Sequence, residues 1–85
     1  AFDGLVIEWF KVDQDAPAMG KTIGELGIRK TYNVNVVAVL KKSMKKLFTP
    51  GPESLIEAGD TLVVSGERPE VKKFTNELLM KKGDV

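Results

Sequence analysis

The segment Val34-Asn35-Val36-Val37-Ala38-Val39-Leu40-Lys41 constrains the fold more than any other part of the chain. Valine recurs through it, and β-branched side chains fit a pleated surface better than a helix. It is predicted to be a strand, buried on both faces in its second half. Two further runs have the same character. Leu5–Val12 carries Trp9 and Phe10, and Thr61–Val64 is closed by Ser65-Gly66. Three such strands require a sheet with at least one apolar face that other elements must cover.

The intervening residues supply those elements. Asp13–Gly20 reads as a loop from its Asp, Pro and Gly content. Thr22 is placed to cap a helix, with Glu25 three residues on to complete a capping box. A short helix is expected from Ile23 to Lys30 or Tyr32, with Ile23 and Leu26 sharing a face. Gly24 and Gly27 each weaken it by about 1 kcal/mol relative to alanine. Glycines kept at that cost indicate close packing against the backbone. Tyr32-Asn33 then turns the chain into the central strand.

Lys42–Lys46 reads as a solvated turn and Leu47-Phe48-Thr49 as a short extended piece, ended by Pro50-Gly51-Pro52. In the turn Glu57-Ala58-Gly59-Asp60, Gly59 provides a positive φ and Asp60 stabilises the turn. Pro69 suits the first turn of a helix. Val71, Phe74, Leu78 and Leu79 then recur at helical spacing up to about Lys81. The order is β-α-β-β-β-α, an α+β domain with a mainly antiparallel sheet.

At 85 residues the chain makes one domain, 1–85, with its core at about 5–80. A core this small is marginal alone, so burial against a second copy or a longer parent chain is expected. The opening Ala1-Phe2-Asp3 lacks a methionine and a signal-peptide layout, which suggests a piece of a longer polypeptide. Cysteine and histidine are both absent. That excludes disulfides, thiolate chemistry, the usual zinc ligands and the usual neutral-pH base.

Other functional classes fall on spacing or charge. Gly20-Lys21-Thr22 resembles the end of a phosphate loop, but that loop needs a glycine where Asp15 stands. Asp13, Asp15, Glu53, Glu57 and Asp60 lack the alternation of a calcium loop. Lys41, Lys42, Lys45 and Lys46 form a basic cluster without interleaved aromatics, and the net charge is only +1, so nucleic acid is not an expected partner. The apolar run Val36–Leu40 is far short of the ~20 residues that span a bilayer. No acid/base or nucleophile set is present, so an enzyme is not expected.

Two residues stay open at this level. Arg29 is either a charge favoured by a helix C-terminus or a guanidinium fork for a phosphate in an apolar-walled pocket. Asn35 either faces solvent or hydrogen-bonds a ligand or a partner strand.

The landmarks Gly20-Lys21-Thr22-Ile23-Gly24-Glu25-Leu26, Val36-Val37-Ala38-Val39, Pro50 and Gly59-Asp60-Thr61-Leu62-Val63-Val64-Ser65-Gly66 resemble those of the RCK_C, or TrkA-C, domain of potassium-conductance regulators. The likeness runs from about Leu5 to Leu79. It implies an intertwined two-fold homodimer, cytoplasmic, at the inner face of the membrane beside a potassium channel or cation/proton antiporter subunit. It also implies no cofactor, and in some members an effector, cyclic di-AMP, held across the dimer interface. The corresponding pattern falls here on Ile23, Arg29, Asn35 and Val36, with Pro50 along the pocket. Gly24 stands where that pattern has a second aliphatic residue, and Gly27 where it has an acid. The alternative is a dimerisation module that binds no ligand.

Overall fold

A computed structural model describes residues 4–83; the opening tripeptide lies outside them. The elements are β1 (Leu5–Lys11), α1 (Ile23–Leu26), α2 (Ile28–Tyr32), β2 (Asn35–Leu40), β3 (Leu47–Phe48), β4 (Thr61–Glu67) and α3 (Arg68–Phe74), the last continued by one π turn, Thr75–Leu79. The four strands form one antiparallel sheet in the order β1-β4-β2-β3. The α+β class and the element order agree with the sequence reading.

Register fixes which side chains meet. Val6, Phe10, Leu62, Val64, Val36 and Val39 belong to the face that carries the helices. Ile28, Val71, Phe74 and Leu79 cover that face, each essentially sealed from solvent. Val12, Ala18, Val34 and Ile56 extend the same core into the loops. In β2 the pairing shifts between Val36 and Ala38, so Val37 is the extra residue of a bulge. Without it, strict alternation would turn Val39 outward; with it, both Val36 and Val39 face the helices.

Four expectations are corrected. The first helix is two helices, because Gly27 adopts φ 54 and both ends α1 and begins α2. That left-handed geometry stops an α-helix, and glycine accepts it without steric cost. The second half of β2 is not buried on both faces: Val39 is buried but Ala38 and Leu40 only partly, and Val37 beside them is 47% exposed. β4 does not close at Ser65-Gly66 but pairs with β1 as far as Glu67. A side chain at Gly66 would press on Val71, Val34 and the Asn33 carbonyl, so glycine lets α3 pack close to the sheet. Finally, the last turn of the C-terminal helix is a π turn that ends at Leu79, with the Met80 amide donating to the Thr75 carbonyl.

The remaining local signals hold. The Thr22 hydroxyl accepts from the Glu25 amide and the Glu25 carboxylate accepts from the Thr22 amide, a complete capping box. Gly59 has φ 89 and Asn33 φ 58. Among the described residues no helix is long and apolar enough to cross a membrane.

On the other sheet face, Leu5, Ile7 and Trp9 are 63%, 69% and 59% exposed. They form a row down the edge strand β1, pointing away from the helices.

Candidate functional site

The chain from Lys21 to Gly24 runs antiparallel to the segment Pro52–Ile56. The Gly20 amide donates to the Ile56 carbonyl at 2.8 Å and the Ile56 amide to the Lys21 carbonyl at 2.9 Å. The Ile23 amide reaches the Ser54 carbonyl at 2.9 Å and the Gly24 amide the Pro52 carbonyl at 2.8 Å. The last two bonds use amides at the start of α1 that have no partner within a helix. They zip the Pro50-Gly51-Pro52 loop onto α1 as a wall. The Gly51 amide donates to the Ser54 hydroxyl at 3.0 Å and tightens the loop.

β3 pairs with β2 only at Val39 and Leu40, so the first half of β2 has no strand on that side among the described residues. The space beside it, between α1, α2 and the proline loop, is a cavity of about 570 Å³. All five residues singled out from the sequence, Ile23, Arg29, Asn35, Val36 and Pro50, line it. So do Gly24 and Gly27, together with Lys30 and Pro52, which sequence reasoning did not single out.

The structure brings Arg29 and Asn35 together. The Arg29 Nε donates to the Asn35 Oδ1 at 2.9 Å, and both side chains are solvent-exposed. Asn35 pairs with Ser65, which pairs with Ile7, so it projects from the face opposite the core. A guanidinium held through Nε keeps its two terminal nitrogens, the side of the fork that takes two oxygens of a phosphate. Among the described residues no acidic side chain lines the cavity, whereas Arg29 and Lys30 do, and Ile23, Val36 and Pro50 give it apolar walls.

A separate polar network lies at the other end of β2. Asp60 is 1% exposed and accepts from the Lys41 ammonium, the Lys42 amide at 3.2 Å and the Glu57 amide at 3.0 Å. Lys41 also pairs with Glu57 at 2.9 Å and donates to the Leu55 carbonyl at 3.1 Å. Burial disfavours the Lys41 ammonium, but the carboxylates of Asp60 and Glu57 outweigh it and hold its pKa above the ordinary lysine value. Lys41 therefore does not belong to the solvated cluster in which the sequence placed it; Lys42, Lys45 and Lys46 do. Asp60 stabilises its turn, as read from the sequence.

Comparison with known proteins places this geometry. The TrkA-C domain family matches residues 7–79. Over 83 residues the chain is 48% identical to the K(+)/H(+) antiporter subunit KhtT of Bacillus subtilis strain 168, covering 98% of this chain and 50% of that protein. It is 30% identical over 70 residues to the ammonium/H(+) antiporter subunit AmhM of Alkalihalophilus pseudofirmus, covering 82% of this chain and 41% of that one. The chain thus spans about half the length of the curated relatives it matches. Among solved structures, the RCK_C domain dimer of S. agalactiae BusR in complex with c-di-AMP superposes with a TM-score of 0.75 at 28% identity, covering 87% of this chain and 90% of that one. The RCK C domain of the potassium transport protein KtrA, also in complex with c-di-AMP, superposes with a TM-score of 0.76 at 25% identity, covering 87% and 84%. Sequence and fold agree, and the chain belongs to the TrkA-C (RCK_C) domain family.

Proposed function

We propose that this domain is a regulatory sensor of a potassium or cation/proton transport system, binding cyclic di-AMP at the cavity beside β2. The observation that carries the reading is the Arg29–Asn35 pair, a guanidinium hydrogen-bonded through Nε in the lining of a cavity that has apolar walls and, among the described residues, no acidic side chain. Phosphate would take the terminal nitrogens of Arg29, and Ile23, Val36 and Pro50 would cover the purines. Two copies related by a two-fold axis would present two arginines to the two phosphates of a symmetric dinucleotide. The relatives named above support the class of transporter, and the two c-di-AMP complexes support the ligand. In this reading the domain acts without catalysis or cofactor, as a cytoplasmic homodimer against a membrane-embedded partner.

The test is thermal denaturation and calorimetric titration with cyclic di-AMP. Ligand at 100 times its dissociation constant should add about 2.7 kcal/mol of stability. Arg29→Ala should abolish that gain while leaving the unliganded melting temperature nearly unchanged, because exposed charges at helix ends contribute only about 0.3–1 kcal/mol. Unchanged affinity in Arg29→Ala would remove the assignment. A second reading, an assembly module without ligand, is favoured by the exposed row Leu5, Ile7 and Trp9. It requires that no nucleotide shift the melting temperature.

A further inference from the structure

The two glycines that depart from the RCK_C binding pattern differ physically. A Cβ built on Gly27 meets only the Thr31 hydroxyl, at 3.7 Å, so the space beyond it is open to the cavity. A Cβ on Gly24 would lie 2.9 Å from the Pro52 carbonyl oxygen and 3.2 Å from the Pro52 Cβ. The aliphatic group missing at position 24 has therefore left no hole. Pro52 fills the space, seated by the 2.8 Å hydrogen bond from the Gly24 amide.

We infer that Gly24 is a positioning residue that sets how closely the Pro50-Gly51-Pro52 wall approaches Arg29 and Val36. The inference rests on the ligand reading above and deepens it. Gly24 has no positive φ, so helical backbone geometry does not demand glycine there. Alanine would be the better helix former. What excludes a side chain is the wall itself, and the obstructing atom is a backbone oxygen, which cannot rotate away as a flexible side chain can. Any residue larger than glycine must displace the loop by a few tenths of an ångström. It would lengthen the Gly24–Pro52 hydrogen bond and move Pro50 with it. Restoring the aliphatic residue of the family pattern should therefore weaken binding, the opposite of what the pattern alone implies.

The experiment compares the full chain with Gly24→Ala, Gly24→Ile and Pro52→Gly by calorimetric titration with cyclic di-AMP, beside melting curves and amide and arginine Nε–H NMR spectra. Overpacking a fitted contact is expected to weaken binding by about tenfold in Gly24→Ala and more in Gly24→Ile. The amide signals of Gly51 and Ser54 should move in the unliganded protein, with the Arg29 Nε–H signal in place. The Gly24→Ala melting temperature should fall by only a few degrees, because the helix propensity of alanine offsets part of the overpacking. A general loss of structure would lower it much further. Pro52→Gly removes the ring that rests on Gly24 without touching α1, and should weaken binding from the other side, which covers the case of a Gly24 variant that does not fold. Wild-type affinity in Gly24→Ala or Pro52→Gly overturns the inference and leaves the ligand reading standing. Absence of cyclic di-AMP binding in the unmodified chain overturns both.

Discussion

Replacing Asp60 by alanine tests the account of the buried network, and its size can be worked from the contacts. The substitution removes one carboxylate from three donors: the Lys41 ammonium and the amides of Lys42 and Glu57. Breaking a buried ion pair from one side costs about 3–5 kcal/mol, because the remaining charge is left without its partner. Here Lys41 keeps Glu57, whose side chain is 59% exposed, and the Leu55 carbonyl. The residual charge is thus partly satisfied, and the cost should sit near the low end, about 3 kcal/mol. Domains of this size lose about 4–8 °C per kcal/mol, so the melting temperature should fall by about 12–24 °C. Asp60→Asn retains an acceptor oxygen for an amide but loses the charge, and should cost about half as much. In urea the midpoint should drop with an unchanged slope, since the surface exposed on unfolding is the same. A loss below about 1 kcal/mol in Asp60→Ala would show that the network is not a source of stability, and that burial around Ile56 and Val12 holds this corner instead.

Gly59→Ala should cost about 1–2 kcal/mol in the same urea experiment, because φ 89 is a conformation that L side chains rarely adopt. Thr22→Ala should cost about 1 kcal/mol by removing the cap of α1. Hydrogen bonds from the Thr22 amide, then from its hydroxyl, hold the Glu25 carboxyl below its usual range. A lowered folded-state pKa means stability that is present above the unfolded value and lost as pH falls through the folded one. The Thr22 variant removes only the hydroxyl and keeps the amide donor, so it should flatten the acid limb of a circular-dichroism stability profile in part. At the alkaline end, burial and then the hydrogen bond to Glu77 raise the Tyr32 phenol, and Lys41 is raised as described. Raised pKa values give stability that is complete below the unfolded values and lost as pH rises through the folded ones. Tyr32→Phe should reduce the alkaline loss measured by the same method.

Legibility followed the range of the forces. The Thr22–Glu25 capping box, the Gly59 turn, Pro69 in the first turn of α3 and the solvated Lys42–Lys46 segment all rest on neighbours in sequence, and all were readable. The helix break at Gly27 was not. A glycine in a helical pattern does not announce whether it takes a left-handed φ, since that depends on where the following residues must pack. The exposure of Val37 and the extension of β4 to Glu67 were hidden for a related reason. Whether an apolar residue is covered depends on strands and helices from elsewhere in the chain, and here on a bulge that redirects half of β2. In the cavity, the identities of Ile23, Arg29, Asn35, Val36 and Pro50 came from resemblance. Lys30 and Pro52 carried no comparable signal, because Lys30 enters through the direction α2 takes after the break at Gly27 and Pro52 through the shape of its loop.

By itself the sequence determined an α+β domain with β-branched strands, capped short helices and neither cysteine nor histidine, because propensity, capping and composition act over a few residues. Only the tertiary structure decided the strand order β1-β4-β2-β3 and the hold of Asn35 on Arg29. It alone also showed that Pro52 occupies the space a side chain at Gly24 would need. The strand order and the Gly24–Pro52 contact join distant parts of the chain, and the Arg29–Asn35 bond, though local in sequence, depends on the sheet face that register gives Asn35.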